Sequence, residues 1–463
     1  MKVFAISLEL KSELREFLKL AFPLASAQVA QAMTGFVDTV MMGWLGQASL
    51  AAGGLAVMIF LAFLMTGSGV LSSVSPLVAE AYGAGQPRRV GKVTRQGLWL
   101  ALLMAIPSLP IMAHLDRLMA LLGQDPAVIP LADTYLDVVR WALLPGLGFA
   151  ALRGTVTALS QARPIMVIVV VANLLNMVGN YILAFGKLGF PALGLQGLAL
   201  ASVLAHTTMG LALLGYILWC RCSLFKPYGL FQNLHRWEWP MVRSLLNVGI
   251  PIGISTILEH GLFTVMTLMM GALGTHTLAA QQLALQTVII VFMVPLAMSY
   301  AATIRVGQAY GQRNWLGVRR AAIVSISSTI VVMVIAALIF IVFPAPIISL
   351  YLDVQEPTNQ EVVQLGVMLL TVAAFGQVVD GVQRTANGLL QGLQDTRIPM
   401  LISAFAYWVV GLLSGYWLGF HTPLQGIGIW VGAYVGLTVT AIAYLWRFWA
   451  LVVMQETRSL ATS

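Results

Sequence analysis

Long apolar segments constrain this chain more than any other feature. Twelve of them recur along the 463 residues, most near or above the ~20 residues that cross a ~30 Å hydrocarbon layer as a helix. Strands of a membrane β-barrel are shorter and alternate in polarity, so a barrel is excluded. The sequence predicts an all-α polytopic membrane protein. The segments cover about residues 17–45, 48–79, 93–115, 128–152, 164–186, 195–220, 244–272, 278–304, 317–343, 361–390, 398–420 and 426–452.

The distribution of charge predicts how the chain crosses the membrane. Only 9% of residues are charged and the net charge is +8, against roughly 25% charged residues in soluble domains. Only Arg117, Arg140 and Lys187 fall on the side of the odd-numbered loops, and the other Lys and Arg residues lie at the termini or around even-numbered loops. The positive-inside rule then places both termini in the cytoplasm. The basicity reports topology and does not indicate a nucleic-acid partner.

The two halves of the chain resemble each other at an offset of about 228 residues. Pro23 aligns with Pro251, and Tyr82-Gly83 aligns with Tyr310-Gly311. An offset that holds an even number of spans gives both halves the same orientation, as in parallel repeats related by an axis along the membrane normal. The sequence therefore predicts a design of six plus six helices.

The repeat predicts a domain organisation. A six-helix N-lobe covers residues 1–220, a cytoplasmic linker covers 221–243, and a six-helix C-lobe covers 244–463. Two facing bundles leave a central cleft that suits alternating access. A gene duplication within a static channel or scaffold is the alternative.

Each half carries a proline inside its first helix. Pro23 and Pro251 each remove an intrahelical hydrogen bond and are expected to kink the helix. A kink in a helix that also carries a titratable group suits a conformational switch. A fixed kink that only shapes the cleft explains the same residues, and both interpretations remain open.

Three carboxylates lie well inside predicted spans: Asp38, Glu259 and Asp380. A charged carboxylate at the bilayer centre costs at least ~2.5 to 3.5 kcal/mol, so each must face protein or water, bind a cation or carry a proton. We expect no Lys or Arg at matching depth, which argues against a buried ion pair. A hydrogen bond from the adjacent His260 is an alternative for Glu259.

Amide and hydroxyl side chains in segments five and six are candidate partners for Asp38. Asn176 and Asn180 are four residues apart and share a helical face, and Ser202 follows in the next helix. These oxygen ligands suit Na⁺ bound at Asp38, Asn176 and Asn180, and they equally suit a protonated, hydrogen-bonded carboxylate. Ordinary interhelical hydrogen bonding also explains the two asparagines.

The 22 methionines include an adjacent pair at Met41 and Met42. Flexible, polarizable side chains of this kind can line a cavity for varied apolar guests, which makes Met41 a candidate cavity residue. The filling of irregular membrane cores needs the same property, and the sequence favours that use.

Three stretches of the chain resemble the multidrug and toxic compound extrusion (MATE) family, in particular its NorM branch. They read FPLASAQVAQAMTGFVDTVMMG, GIPIGISTILEHGLF and GQVVDGVQRTANGLLQGLQDTRIP. The resemblance covers essentially all twelve spans. It implies a polyspecific antiporter of the bacterial inner membrane that exports cationic, partly hydrophobic drugs and dyes in exchange for Na⁺ or H⁺.

The same resemblance implies roles for particular residues. Positions matching Asp38, Asn176, Asn180 and Ser202 form a cation or proton site in the first lobe, and those matching Glu259 and Asp380 form a second acidic site. Gln31 and Gln282 match positions that line the cavity. Bending of the first helix has been proposed at the position of Pro23. Some relatives carry Asp where this chain has Asn180, so the first site here has one carboxylate fewer.

Other functions fit the sequence less well. A flippase for lipid-linked saccharides would bind an anionic substrate and should hold Arg or Lys in its cavity, whereas the spans here hold acids. An intramembrane enzyme is not expected, because the six histidines are scattered and no nucleophile has a neighbouring base. Beyond the coupling ion we expect no cofactor. The expected partners are small cationic molecules and the lipid bilayer, with the protein acting as a monomer.

Overall fold

The computed structural model describes residues 2–121, 123–220, 224–354 and 356–462, and these are predominantly helical. Twelve stretches are long and apolar enough to cross a membrane, which confirms the predicted number and the all-α class. Some stretches combine two successive helices, such as α2 with α3 and α6 with α7. The helices are α1 (Lys2–Trp44), α2 (Gln47–Leu71), α3 (Val74–Gly83), α4 (Pro87–Met112), α5 (Asp116–Leu121), α6 (Ile129–Val139), α7 (Leu143–Ala158), α8 (Arg163–Phe185), α9 (Leu195–Trp219), α10 (Trp239–Ala272), α11 (Thr275–Gly311), α12 (Trp315–Val342), α13 (Pro344–Ile348), α14 (Gln360–Gly392), α15 (Arg397–Phe405), α16 (Leu412–Phe420) and α17 (Gln425–Thr462).

The chain forms two compact units. The N-terminal unit is Ser26–Gly253, and the C-terminal unit combines Met1–Ala25 with Ile254–Ser463. The units therefore divide α1 and α10 internally, whereas the predicted lobes keep α1 whole and begin the C-lobe five residues into α10, at residue 244. Both divisions fall just after a proline, Pro23 in α1 and Pro251 in α10. Both helices continue through their proline, and whether either one bends there stays a prediction.

Ion pairs attach the start of α1 to the C-terminal unit. Two nitrogens of Arg305, Nε and Nη2, donate to the two carboxylate oxygens of Glu13 at 2.7 and 2.6 Å. Arg320 pairs with Glu9 one turn earlier. Bidentate pairs between Arg and a carboxylate are among the stronger hydrogen-bonded contacts in proteins. Two of the three acids in the first turns of α1 thus have specific partners on α11 and α12, and the third, Glu16, pairs with Lys19 within α1.

Close backbone approach attaches the start of α10 to the N-terminal unit. A Cβ added to Gly249 would lie 2.2 Å from the Val70 carbonyl oxygen, so only glycine permits this contact. Just before the helix, Glu238 forms an ion pair with Lys92 at 2.9 Å. The start of α10 therefore packs on α2, and the residue just before this helix is bound to α4.

A matching polar contact occurs in each unit. The hydroxyls of Thr94 on α4 and Thr155 on α7 lie 3.0 Å apart, and those of Thr329 on α12 and Thr385 on α14 lie 2.9 Å apart. All four side chains are buried. The paired helices are the third and fourth spans of the first half and the equivalent spans of the second. The internal repeat seen in the sequence therefore extends to side-chain contacts.

Candidate functional site

The Asp38 carboxylate on α1 contacts the asparagine face of α8. Asn180 Nδ2 donates to Asp38 Oδ1 at 2.5 Å and lies 3.3 Å from Asn176 Oδ1. The two asparagines are one turn apart and buried, whereas Asp38 is partly exposed. The helical spacing had predicted that both amides share one face, and in the structure this face meets the acid.

Ser202 on α9 completes the predicted group. With its amide turned over, Asn176 donates to Asp38 Oδ1 at 3.1 Å and accepts from the backbone N–H of Ser202 at 3.3 Å. The structure thus brings together all four residues that the sequence assigned to this site. We call Asp38, Asn176, Asn180 and Ser202 the Asp38 cluster.

Sequence reasoning missed Tyr135. This tyrosine lies on α6, is 2% exposed, and its hydroxyl lies beside the Ser202 side chain and within electrostatic reach of Asp38. A buried tyrosine hydroxyl usually has a polar partner. The signal available from the sequence was therefore a lone tyrosine in an apolar span, which does not by itself identify that partner.

The Asp38 cluster offers oxygen atoms and no positive charge. Among the described residues, Asp38 forms no ion pair with Lys or Arg. In the described part of the chain, Asn180 Oδ1 is buried without a hydrogen-bond partner. A carboxylate, amide oxygens and hydroxyls can hold a hard cation such as Na⁺ or stabilise a protonated acid. The geometry suits both.

The expectation that the other buried acids lack a basic partner was wrong for Glu259. Arg384 Nη1 on α14 donates to Glu259 Oε2 on α10 at 2.9 Å, and the two side chains are only 14% and 12% exposed. Arg384 lies near the C-terminal end of its span, where its charge was assigned to the membrane surface. Side chains on a helix tilt toward its N-terminus, which brings the guanidinium back into the span.

Asp380 lies one turn before Arg384 on α14 and is 5% exposed. Its carboxylate is repelled by Glu259 and attracted by Arg384. No hydrogen bond joins it to another of the residues that the structure describes. His260 is exposed, and the partner of the Glu259 side chain is Arg384. The predicted second acidic site thus consists of two acids and one basic residue. We call Glu259, Arg384 and Asp380 the Glu259 triad.

Aromatic residues surround the Glu259 triad. The Arg384 guanidinium lies 5.8 Å from the centre of the Phe292 ring, a cation–π distance. The Tyr407 hydroxyl, in a π-helical segment between α15 and α16, accepts a hydrogen bond from Gln383 at 2.7 Å. Single-turn π-helical segments occur frequently at functional sites. Tyr434 packs on the bare Cα of Gly376, where an added Cβ would lie 2.1 Å from the ring.

The three candidate cavity residues differ in exposure. Gln31 and Gln282 are exposed. Met41 is 8% exposed and belongs to a packed apolar cluster with Met42 and residues of α2 and α6. This placement agrees with the use of methionine as a core filler, and a cavity role for the three residues stays a prediction.

Comparison with known proteins identifies the family. The MatE family model matches residues 23–182 and again residues 251–417. Both matches begin at the prolines that the internal repeat aligns, and together they cover more than half of the chain. The family model therefore recognises the same two halves as the sequence comparison.

Similar proteins span nearly the whole chain. "Probable multidrug resistance protein NorM" of Synechocystis sp. is 56% identical over 457 residues, which are 98% of both chains. Proteins with the same name in Synechococcus sp. and Pseudomonas aeruginosa are 46% and 38% identical and cover 95% and 94% of this chain, and 94% and 90% of their own.

Solved structures share the fold. A MATE protein in complex with MaL6 has a TM-score of 0.87 at 20% identity, over 96% of this chain and 97% of its own. The eukaryotic MATE transporter AtDTX14 has a TM-score of 0.83 at 20% identity, over 97% and 99%. These matches and the relatives confirm what the motifs predicted: the chain belongs to the MatE family, the multidrug and toxic compound extrusion family, and to its NorM branch.

Proposed function

We propose that this protein is a secondary active multidrug efflux antiporter. It exports cationic, hydrophobic drugs and dyes in exchange for H⁺ or Na⁺ by alternating access. Membership of the NorM branch supports the efflux of drugs. The observation that carries the coupling is the Asp38 carboxylate, held by Asn180 within a predicted span and without an ion-pair partner among the described residues.

Coupling follows from competition for negative charge. An ionised Asp38 favours a cationic substrate, and an incoming H⁺ or Na⁺ neutralises the same charge and weakens substrate binding. Because this opposition is reciprocal, each ligand lowers the affinity for the other by the same factor. Each ~1.4 kcal/mol of opposition changes binding tenfold. Inward movement of the ion then drives outward movement of the drug.

The oxygen groups around Asp38 have separate parts in this scheme. Asn180 donates to the ionised carboxylate and keeps its own carbonyl oxygen available. The Tyr135 hydroxyl lies beside Ser202 and can hydrogen-bond with it. A proton on Asp38 or a sodium ion at Asp38, Asn176 and Asn180 would satisfy the same set of atoms. The ion is therefore left as H⁺ or Na⁺ in the proposal.

The flippase alternative gains no support from Arg384. This buried cation is paired with Glu259 and lies one turn from Asp380, so the triad contains two acids and only one basic residue. An anionic lipid-linked saccharide requires a site with an excess of positive charge. The charge balance near both groups of acids favours cationic substrates.

The position of the protein in the cell is also part of the proposal. Twelve spans and the bacterial origin of the relatives support the bacterial inner membrane. The concentration of Lys and Arg at the termini and around even-numbered loops supports cytoplasmic termini. We propose that the antiporter works as a monomer without a cofactor, since each chain carries both groups of acids.

The test measures dye efflux from proteoliposomes under an imposed pH gradient and, separately, under an imposed Na⁺ gradient. Wild-type protein should extrude a cationic dye under at least one gradient, and Asp38→Asn should abolish this efflux. Asp125→Asn is the matched control, because Asp125 is exposed and an amide oxygen can still accept from the Ala127 N–H. Full efflux by correctly folded Asp38→Asn would remove Asp38 from the mechanism.

A further inference from the structure

The Glu259 triad differs from the Asp38 cluster because it contains its own cation. Glu259 and Arg384 form an ion pair at 2.9 Å, and Asp380 lies within electrostatic reach of both. Asp380 and Arg384 are four residues apart on α14, and Glu259 comes from α10. Two carboxylates and one guanidinium therefore share one largely buried region.

The charges of the triad do not cancel. Arg stays protonated under all physiological conditions, so it supplies a fixed positive charge. With both acids ionised, the triad carries a net charge of −1. Removal of one partner from a buried ion pair is strongly destabilising, because the remaining charge is left uncompensated. Arg384 thus compensates the charge of Glu259 through their direct contact.

The other polar groups around the triad add no charge. Four tyrosines lie within electrostatic reach of the triad: Tyr300 on α11, Tyr407 in the π-helical segment, and Tyr434 and Tyr444 on α17. Phe292 covers the guanidinium. Next to Asp380, the Cα of Gly381 packs against Met333 and Thr329 of α12. The balance of charge is therefore set by the three ionic side chains alone among the described residues.

We propose that Arg384 is a permanent counter-ion of Glu259, so that Asp380 is the one carboxylate of the triad that binds and releases a travelling cation. This inference rests on the proposed antiport and adds a positioning role for Arg384. Arg384 fixes the number of exchangeable charges in the C-terminal unit at one. Glu259 acts through Arg384 by keeping the guanidinium away from Asp380.

The arrangement predicts what each single substitution does. In Glu259→Gln, Arg384 loses its partner and turns to Asp380, since residues four apart on a helix are neighbours. Asp380 is then paired and no longer exchanges. In Arg384→Gln, two neighbouring carboxylates remain and no guanidinium compensates either of them, so two travelling cations instead of one are needed to neutralise the pair. That variant gains an exchangeable charge.

The double substitution distinguishes this proposal from a direct role for Glu259. Glu259→Gln combined with Arg384→Gln leaves Asp380 as a single acid without an ion-pair partner. Asp380 has the same status in the wild type, where Arg384 is paired with Glu259. The double variant should regain the dye efflux that Glu259→Gln loses. If Glu259 itself exchanged the ion, the double variant would stay as impaired as Glu259→Gln.

The experiment counts ions as well as efflux. Ethidium is added to purified protein in weakly buffered detergent solution, and released H⁺ and displaced ²²Na⁺ are measured per bound dye. Relative to the wild type, we expect one ion fewer for Glu259→Gln, one more for Arg384→Gln, and an unchanged count for Arg384→Lys and for the double variant. Proteoliposome efflux by the same variants should be lost in Glu259→Gln and regained in the double variant.

The outcomes separate this inference from the proposed function. Wild-type protein without ion-driven efflux would contradict the antiport itself. Active wild-type protein with a double variant that matches Glu259→Gln would overturn only the role of Arg384, as would an unchanged ion count in Arg384→Gln. If Arg384→Gln fails to fold, as judged by gel filtration, Glu259→Gln and the double variant still decide the question, because neither leaves two unpaired buried acids.

Discussion

Replacement of Asn180 by Asp tests the electrostatics of the Asp38 cluster most sharply. Asn180 Nδ2 lies 2.5 Å from Asp38 Oδ1, so Asn180→Asp removes a donated hydrogen bond and places a second carboxylate beside the first. After relaxation the two charge centres would be about 4 Å apart, where two unit charges interact by about 4 kcal/mol at an effective dielectric constant of about 20. A bound cation removes this repulsion.

The expected result is much tighter binding of the coupling ion. About 4 kcal/mol corresponds to a fall of up to roughly 1,000-fold in the concentration of H⁺ or Na⁺ at half-saturation. The assay is ²²Na⁺ binding and proton uptake by purified protein across a range of Na⁺ concentrations and pH. Ion-driven dye efflux should also slow, because an ion that binds this tightly is released slowly.

Asn173→Asp is the matched control for this substitution. Asn173 is also buried on α8, but two turns earlier, about 10 Å along the helix axis. At that distance the repulsion of Asp38 falls below half of the value for Asn180→Asp. An affinity for both ions that is unchanged in Asn180→Asp, or one that shifts equally in both variants, would refute the assignment of Asp38 as the ion-binding acid.

Two further substitutions test the surroundings of the acids. Tyr135→Phe removes the hydroxyl beside Ser202 and Asp38. It should weaken coupling-ion binding about tenfold or less, in line with the loss of at most one hydrogen bond, with unchanged folding by circular dichroism. Gly376→Ala would place a methyl group 2.1 Å from the Tyr434 ring, so it should lower the free energy of unfolding by about 1 to 3 kcal/mol and impair efflux. Gly35→Ala is the control, because its Cβ meets nothing within 4 Å, and it should not destabilise the protein in thermal unfolding assays.

The sequence predicted the architecture because the hydrocarbon interior of a membrane permits few backbone structures. In hydrocarbon every backbone polar group must be satisfied within the protein, so long apolar segments become helices. Spacing then predicted part of the site, since Asn176 and Asn180 share a face at any helix orientation. The contact between this face and Asp38 is a tertiary contact, which helical spacing does not predict. The resemblance to a family had implied it before the structure showed it.

Arg384 shows where local reasoning failed. Its position near the end of a span assigned its charge to the surface, but its long side chain points back along α14 and reaches Glu259 on another helix. A positive charge at a span end has the same sequence pattern whether it faces the headgroups or a buried acid. Only the position of α10 next to α14 distinguishes the two cases.

The division of α1 and α10 was beyond sequence reasoning for a related reason. The lead-in of α1 contains both acids and bases, which is typical of a solvated amphipathic segment. Two of its three acids, Glu9 and Glu13, instead pair with Arg320 and Arg305, which follow in the chain by about 300 residues. Contacts of this separation leave no periodic signal in either segment.

The most direct test of the central claim measures the binding of a cationic dye to purified protein by fluorescence anisotropy while H⁺ and Na⁺ are varied independently. The central claim is that substrate and ion compete for the charge of Asp38. Wild-type protein should lose affinity for the dye as the concentration of the coupling ion rises, and Asp38→Asn should bind the dye with an affinity that is largely independent of that ion. The same dependence on the ion in Asp38→Asn and wild-type protein would contradict the claim.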